Sequence, residues 1–358
     1  MQRWWCRLCR QSFTFRKWKR KHRFTDVFTQ EAVKDFIQGR SSYAVIKERK
    51  GVSVGTLSSW INDSGARCMS PVEVAQFLKL PIKNRWSSIL LLDAKYLNRH
   101  MVLLLAIDYG TLDIVAWQVT EGETETAYRE LIDLVEKTGY IIGAIISDGE
   151  PSIIALTQPQ RRRYFVKGSR PRLGIVSSPV TSPRLSGICH QWCVVHAERE
   201  LNRYTAKLPQ EQQRSLNGLV HELLFAKTVR QAEKWRDQLL AQTFRQTRIH
   251  EQIALMIRKR WDLLMTHHTF KVIGRRIPRD TNAIENIISY VNVRLKTMRR
   301  LRTIASAQAI TNLIVVNYRS KPLQNTKNKL KRGKSPLELA MGKKQKFDWM
   351  MFIKKSTP

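Results

Sequence analysis

Three carboxylates have sequence neighbours that would let them share a metal site. Asp93 follows the apolar run Ser88-Ile-Leu-Leu-Leu, Asp148 follows Ile142-Gly-Ala-Ile-Ile-Ser, and Glu285 lies in Pro278-Arg-Asp-Thr-Asn-Ala-Ile-Glu-Asn. A carboxylate at the end of a buried strand is costly unless water, a cation or a metal meets it. Two from one sheet suggest a divalent-metal site. With a third from a late helix they can hold two divalent ions about 3.5–4 Å apart, activating water or a DNA 3′-hydroxyl for in-line attack and stabilising the leaving oxygen. Oxygen donors suit Mg2+ or Mn2+. Two other carboxylates compete. Asp108 also ends an apolar run, and Glu198 opens a helical stretch after Trp192. Surface aspartates at strand ends, and helix capping by Glu285, are the plainer alternatives.

The elements that must position these residues follow from short apolar runs between turn signals. Strands are predicted at 88–92, 101–107, 113–119 and 141–147, the first three joined by tight turns into an antiparallel meander. A helix, Glu123 to Lys137, precedes the fourth. This is the opening order of a ribonuclease-H-like core, in which the first and fourth strands lie side by side and Asp93 would face Asp148. Residues 149–190 begin as a short helix, Ser152 to Leu156, then pass into a basic loop with interleaved aromatics. There Arg161, Arg162 and Arg163 could contact a DNA backbone or an unpaired base, or form a solvated charge run. Trp192 to Val195 reads as a strand leading into a helix, with Cys193 and His196 three apart. A lone Cys and His cannot make a zinc site unaided. Residues 205–277 carry helical periodicity at 210–225, 228–240 and 248–266 and no strand signal, so they read as an all-helical insertion. Residues 278–320 supply the closing helix, with Asp280 or Thr281 as cap, Glu285 in its first turn, and Arg294, Lys296, Arg299 and Arg300 downstream. A basic tail, 321–358, ends the chain and could dock on the core.

The chain has 358 residues and 63 Lys/Arg against 29 Asp/Glu, a net charge of +34. That excess points to a polyanion, with nucleic acid far ahead of a membrane surface. No apolar run approaches the ~20 residues of a membrane span, and the N-terminus lacks the apolar stretch of a signal peptide. Five cysteines, sparse and odd in number, fit a reducing cytosol. Residues 1–24 form a basic arm in which Cys6-Arg-Leu-Cys9 resembles one knuckle of a zinc ribbon. Four ligands are needed and one pair is visible, so either a second pair lies upstream, or His22 assists, or the pair is idle. Residues 25–70 read as a helix-turn-helix, its last helix capped by Ser53 and presenting Thr56, Ser58 and Ser59 outward as a recognition face. An ordinary small helical bundle is the alternative. Residues 63–84, with Gly65, Pro71 and Pro81, read as a linker, and the core begins at 85.

Taken together, Asp93 after a strand, Asp148-Gly149 after another, Gln191-Trp-Cys193-Val-Val-His196 before a basic helix, and Thr281-Asn-Ala-Ile-Glu285-Asn resemble the Mutator-type DDE transposases of bacterial and archaeal insertion sequences. The resemblance covers roughly residues 85–345, with a basic loop that lengthens the span from Asp148 to Cys193. It implies an α/β, ribonuclease-H-like catalytic core, 85–204, interrupted by the helical insertion 205–277 and closed by 278–320. It also implies that Asp93, Asp148 and Glu285 are the metal-binding catalytic triad, with Cys193 and His196 supporting the active centre rather than holding zinc. The expected activity is binding of terminal inverted repeats, metal-dependent phosphodiester hydrolysis and strand transfer. Two Mg2+ or Mn2+ ions would serve it, with Zn2+ possible at Cys6 and Cys9. The expected partners are double-stranded DNA and further copies of the chain, not a membrane or a small molecule, in a prokaryotic cytoplasm at the nucleoid. The alternative is a catalytically silent regulator descended from a transposase.

Overall fold

The computed structural model describes residues 4–5, 7–13, 24–82, 84–157, 185, 187–244, 246–295, 301, 303–324, 326 and 328–355. The described chain divides into two compact units, 1–61 and 62–358.

In the first unit a minimal antiparallel pair, β1 (Trp4–Trp5) and β2 (Ser12–Phe13), precedes α1 (Asp26–Ile37), α2 (Tyr43–Lys50) and the start of α3 (Val54–Ala66). Each helix begins at a hydroxyl. The side chains of Thr25, Ser42 and Ser53 accept from the backbone N–H groups of Phe28, Val45 and Thr56, satisfying donors that the first turn would otherwise leave bare. Gly51 ends α2 at φ 63°, the left-handed position that glycine occupies without a Cβ clash. The stripe Ala32, Val33, Phe36 and Ile37 is buried, as are Ile46, Val52, Leu57 and Ile61, and Phe36 stacks on Tyr43 with ring centroids 5.0 Å apart.

The second unit is α/β, built on one mixed five-stranded sheet. Its strands are β3 (Ile89–Asn98), β4 (Met101–Asp108), β5 (Ile114–Thr120), β6 (Ala144–Ser147) and β7 (Cys189–Trp192), in the order β5-β4-β3-β6-β7. β3, β4 and β5 form an antiparallel meander, whereas β6 joins β3, and β7 joins β6, in parallel. Every residue of β4 and β6 is buried, as expected of central strands covered on both faces. On one face α5 (Glu125–Lys137) buries Ala127, Tyr128, Leu131, Ile132 and Val135 against Leu90, Leu92, Leu104 and Ala106. The sequence 63–84 is not a linker. α3 runs through to Ala66, and α4 (Pro71–Phe77) starts with a Ser70–Glu73 capping box and buries Val74 and Ala75 against the core. Pro71 opens that helix rather than breaking the chain, since its missing N–H is one the first turn leaves unpaired anyway.

After β6 comes α6 (Pro151–Thr157), and after β7 come α7 (Val194–Thr205), α8 (Gln210–Leu224), α9 (Val229–Thr243) and α10 (Arg248–Thr269). These helices share a core of Leu216, Val220, Leu223, Leu239, Ile253, Ile257 and Leu264 with Trp192, Ala197 and Leu201. The segment 205–277 is not wholly helical: β8 (Lys271–Val272) and β9 (Arg275–Arg276) form a short hairpin. The expected single closing helix is two, α11 (Asn282–Leu295) and α12 (Ile304–Ser320). α12 lies on β5 and is tied to it by Gln308, which accepts from the backbone N–H of Val119, and by Asn312, which accepts from the Trp117 indole. The C-terminal residues dock on this core through α13 (Pro336–Met341) and a 3-10 turn, Trp349–Phe352, burying Leu337, Ala340, Trp349 and Phe352.

Candidate active site

Asp93 does not end its strand. β3 continues to Asn98 because its antiparallel pairing with β4 runs on to Asn98–Met101, while its parallel pairing with β6 stops at Leu91–Ile146. Asp93 therefore sits where β3 parts from β6. Two residues past that last pair on each strand lie Asp93 and Asp148, so the register sets them opposite one another at the rim of the parallel half. Their charges meet. The Asp93 carboxyl is pushed up to about 7, mainly by burial and further by the negative charges of Asp148 and Glu123, with His196 opposing. Its Oδ1 accepts from the N–H of Ala94 at 2.7 Å. Among the described residues neither aspartate pairs with Lys or Arg.

The turn carrying Asp148 is fixed from below by Trp192. The fully buried indole donates Nε1–H to the Asp148 carbonyl at 2.7 Å. Gly149 has φ 90°, and a Cβ there would come within 2.2 Å of that same nitrogen. Only glycine allows both the left-handed backbone and this approach. From the other side Arg260 of α10 lies over the Trp192 ring, 4.5 Å from its centroid, and reaches Glu200 of α7 at 3.5 Å. The helical insertion thus buttresses the turn that presents Asp148.

β7 is shifted from its expected place: it ends at Trp192, and Cys193 becomes the cap of α7. Burial raises the Cys193 thiol, but hydrogen bonds with His196 and Thr281 outweigh it and hold the thiol below its ordinary range. His196 is raised by its bond to Cys193, against burial, with Asp148 and Asp93 adding; its Nδ1 is buried without a partner among the described residues. The Thr281 hydroxyl donates to Cys193 Sγ at 3.4 Å, and the Val194 N–H donates to the Arg279 carbonyl. These contacts bring the start of α11 to the start of α7. Glu285, in the first turn of α11, pairs there with Arg199 of α7 at 3.7 Å, both half-exposed. Among the described residues no three His, Cys, Asp or Glu side chains stand close enough to grip one ion.

The competing carboxylates are accounted for elsewhere. Asp108 is fully buried and accepts from Ser87 (N–H and hydroxyl), Thr111 (N–H and hydroxyl) and the Tyr140 hydroxyl. Glu198 faces α8 and pairs with His221 at 2.8 Å. Arg294 does not face solvent as a DNA contact would. It is 1% exposed, donates to the Tyr290 carbonyl and lies 3.4 Å from the Tyr290 ring centroid. The burying face of α11 needed a long amphipathic stem, and Arg supplied it. In α3, Ser59 is exposed, whereas Thr56 and Ser58 are half-buried, their hydroxyls engaged with Ser53 and Tyr43. Cys9 is an exposed thiol. Cys6, His22, Arg161, Arg162, Arg163, Lys296, Arg299 and Arg300 lie outside the described residues.

Residues that the sequence did not single out also surround the aspartates. Glu123 accepts from the Tyr128 hydroxyl at 2.8 Å and hydrogen-bonds Tyr96, and its charge reaches both Asp93 and Glu150. Glu123 is one of six acids from 121 to 136, and nothing in their spacing marks which one turns to the sheet. Trp192 lies inside a motif whose Cys and His drew attention from it. No protein-family model matches the sequence, and no curated protein is similar to it, so the function rests on this geometry.

Proposed function

We propose that the chain is a DDE transposase of Mutator type, acting on DNA ends through Asp93, Asp148 and Glu285. The observation that carries the reading is the convergence of Asp93 and Asp148 at the point where an antiparallel meander hands over to a parallel strand, the arrangement of a ribonuclease-H-like core. The three short helices of the first unit, with Ser59 outward on the third, fit a helix-turn-helix for end recognition, and the charge of +34 fits the phosphate backbone. The expected assembly is a homo-oligomer on paired ends.

The donor set fits a divalent cation. Two facing carboxylates carry excess negative charge that no Lys or Arg among the described residues neutralises, and their oxygens suit Mg2+ or Mn2+. Asp93 and Asp148 would hold the ions, with Glu285 completing the set. When bound, the ions would supply charge stabilisation at the attacking and leaving oxygens. The protein's own part is positional. Trp192 and Gly149 fix the Asp148 turn, the Ala94 N–H orients Asp93, and Thr281 and Cys193 clamp the helix that carries Glu285 to the helix that carries His196. His196, its ring raised toward the charged form first by its bond to Cys193, stands beside the carboxylates.

A second reading, a catalytically silent regulator, is favoured by one observation: Glu285 is paired with Arg199 rather than gathered with the aspartates. One assay separates the two. DNA containing the gene's own flanks is incubated with Mg2+ or Mn2+ and either wild type or Asp148→Asn. Cuts at the flank boundaries, absent with the variant although it still binds, are expected. Binding without cutting by the wild type would favour the regulator, and equal cutting by both proteins would remove Asp148 from the chemistry.

A further inference from the structure

The hairpin between α10 and α11 contradicts its own sequence preferences. Its two-residue turn is Ile273-Gly274, with φ of 48° and 72°. A turn with both central residues at positive φ normally takes Asn-Gly or Asp-Gly. A β-branched residue in the left-handed region is strained. Ile273 is moreover 75% exposed, and Phe270 at the foot of the hairpin is 52% exposed. The fold thus holds a bulky apolar side chain at an unfavourable φ, in water, at the tip of a projection.

The mounting of the hairpin is rigid. Val272 is buried, its Cγ1 2.6 Å from the place a Cβ on Gly143 would occupy. Arg275 lies over Gly110, its Nη1 2.9 Å from the corresponding point there. Gly143 therefore seats the hairpin against the sheet, and a larger residue there would press on Val272. Around the apolar tip the charge has one sign. Lys271, Arg275 and Arg276 are exposed, with no acid in the sequence between Asp262 and Asp280, whereas Arg279 turns away to Phe225 and Asp280. Lys331 stands behind them: its ammonium donates to the Tyr109 carbonyl at 3.4 Å, and burial draws it below the ordinary range, with the charge of Asp108 opposing and that of Arg275 adding. Crowded like charges around an exposed apolar point are costly in isolation and favourable against a polyanion.

We propose that Ile273 is a wedge that enters duplex DNA, with Lys271, Arg275 and Arg276 gripping the phosphates on either side. Apolar side chains on basic projections insert at base steps, partly unstack them and bend the duplex. The hairpin seats at Ser88 and Gly143, five residues along β3 and β6 from Asp93 and Asp148. That is about 16 Å at 3.3 Å per residue, less than half of the roughly 34 Å turn of a duplex, with the hairpin at the start of the strands and the carboxylates at the far end. The wedge rests on the DNA reading given above, and its test separates the two.

The probe is a 30-base-pair duplex, with a central TpA step chosen because such steps unstack readily. It carries 2-aminopurine at that step and a fluorophore pair at its ends. The full chain is tested as wild type, Ile273→Asn and Arg275→Gln/Arg276→Gln. Asn suits the left-handed turn, so Ile273→Asn should keep or raise the Tm. It should bind at low salt within a few-fold of wild type, yet lose both the 2-aminopurine increase and the end-to-end shortening. The double Gln variant should lower the slope of log affinity against log salt by about 2, one per phosphate contact. Equal unstacking and bending by wild type and Ile273→Asn would overturn the wedge and leave the transposase reading standing. Failure of the wild type to bind the duplex at all would overturn both.

Discussion

Arg319→Met tests which aspartates of the sheet are structural. Asp113 begins the turn into β5 and is fully buried. Arg319 of α12 grips it with two bonds, Nε to Oδ1 at 2.7 Å and Nη2 to Oδ2 at 2.9 Å, and is itself 1% exposed. The Trp86 indole donates to Oδ2 at 3.2 Å. With Arg319 replaced, a carboxylate sealed from water keeps one indole N–H where it had three donors. Removing one partner of a buried ion pair costs about 3–5 kcal/mol, because the other charge stays buried and uncompensated. Against a total of roughly 5–15 kcal/mol this removes a large share of the stability. Replacing both members, Asp113→Leu with Arg319→Met, should recover most of the loss, since well-packed apolar residues often match or exceed a buried pair. Recovery should be helped because Arg319 Nη1 is already buried without a partner among the described residues. The measurement is urea unfolding of the full chain in chelator, followed by tryptophan fluorescence, with Asp148→Asn as the comparison at the other end of the sheet. Asp148→Asn should shift the midpoint little. A loss below about 1 kcal/mol in Arg319→Met, or a double variant worse than the two single ones combined, would refute the assignment of Asp113 as a structural anchor.

Two further predictions bear on the site and its support. Trp192→Phe keeps an aromatic ring beneath Gly149 but removes the donor to the Asp148 carbonyl; the Mg2+ or Mn2+ concentration for half-maximal cleavage should rise about 10–100-fold while the urea midpoint falls modestly. An unchanged metal requirement would reduce Trp192 to packing. His190 is held neutral, its pKa lowered to about 3 by burial and then by Arg260, with each ring nitrogen paired to a hydroxyl, that of Ser147 or Thr157. The unfolded chain takes up that proton near pH 6.5 and the folded chain does not, so stability present above pH 6.5 is lost as the pH falls toward 3. Between pH 7.5 and 5 the loss is about 2 kcal/mol. His190→Gln, compared with wild type by urea unfolding at both pH values, should lack that increment; an identical pH slope would show that His190 titrates normally.

Much of this was legible in the residues. The strands, α5 and the three long helices of the insertion follow from apolar periodicity, because burial sets that period directly. The boundaries that failed did so where pairing, rather than composition, decides. Nothing in Ala94-Lys-Tyr-Leu-Asn98 looks like a buried strand, yet the antiparallel partner extends β3 through it. The stretch 63–84 reads as a linker from Gly and Pro alone, whereas Pro71 opens a helix that the core covers. Arg294 reads as a surface cation until α11 is seen to bury it against Tyr290. At the site, Asp93 and Asp148 were visible because a charge after an apolar run is conspicuous. Trp192 was not, since an indole in an apolar stretch looks like core until its N–H is found on the Asp148 carbonyl.

The pairing of Glu285 with Arg199 weighs less against catalysis than its presence suggests. The two groups are 3.7 Å apart and more than half exposed. Exposed pairs of this kind contribute well under 1 kcal/mol, and salt weakens them further. Asp93 is of a different order: burial, and further the charge of Asp148, push its carboxyl up, and a divalent cation would relieve both. α11 contacts β3 and is tied to the start of α7 by the Thr281–Cys193 bond. If a cation were held by the two aspartates, as proposed, turning the Glu285 side chain toward it would exchange a weak, screened attraction for a stronger one. On these magnitudes the proposed role of Glu285 requires only that a weak, screened pair with Arg199 be given up.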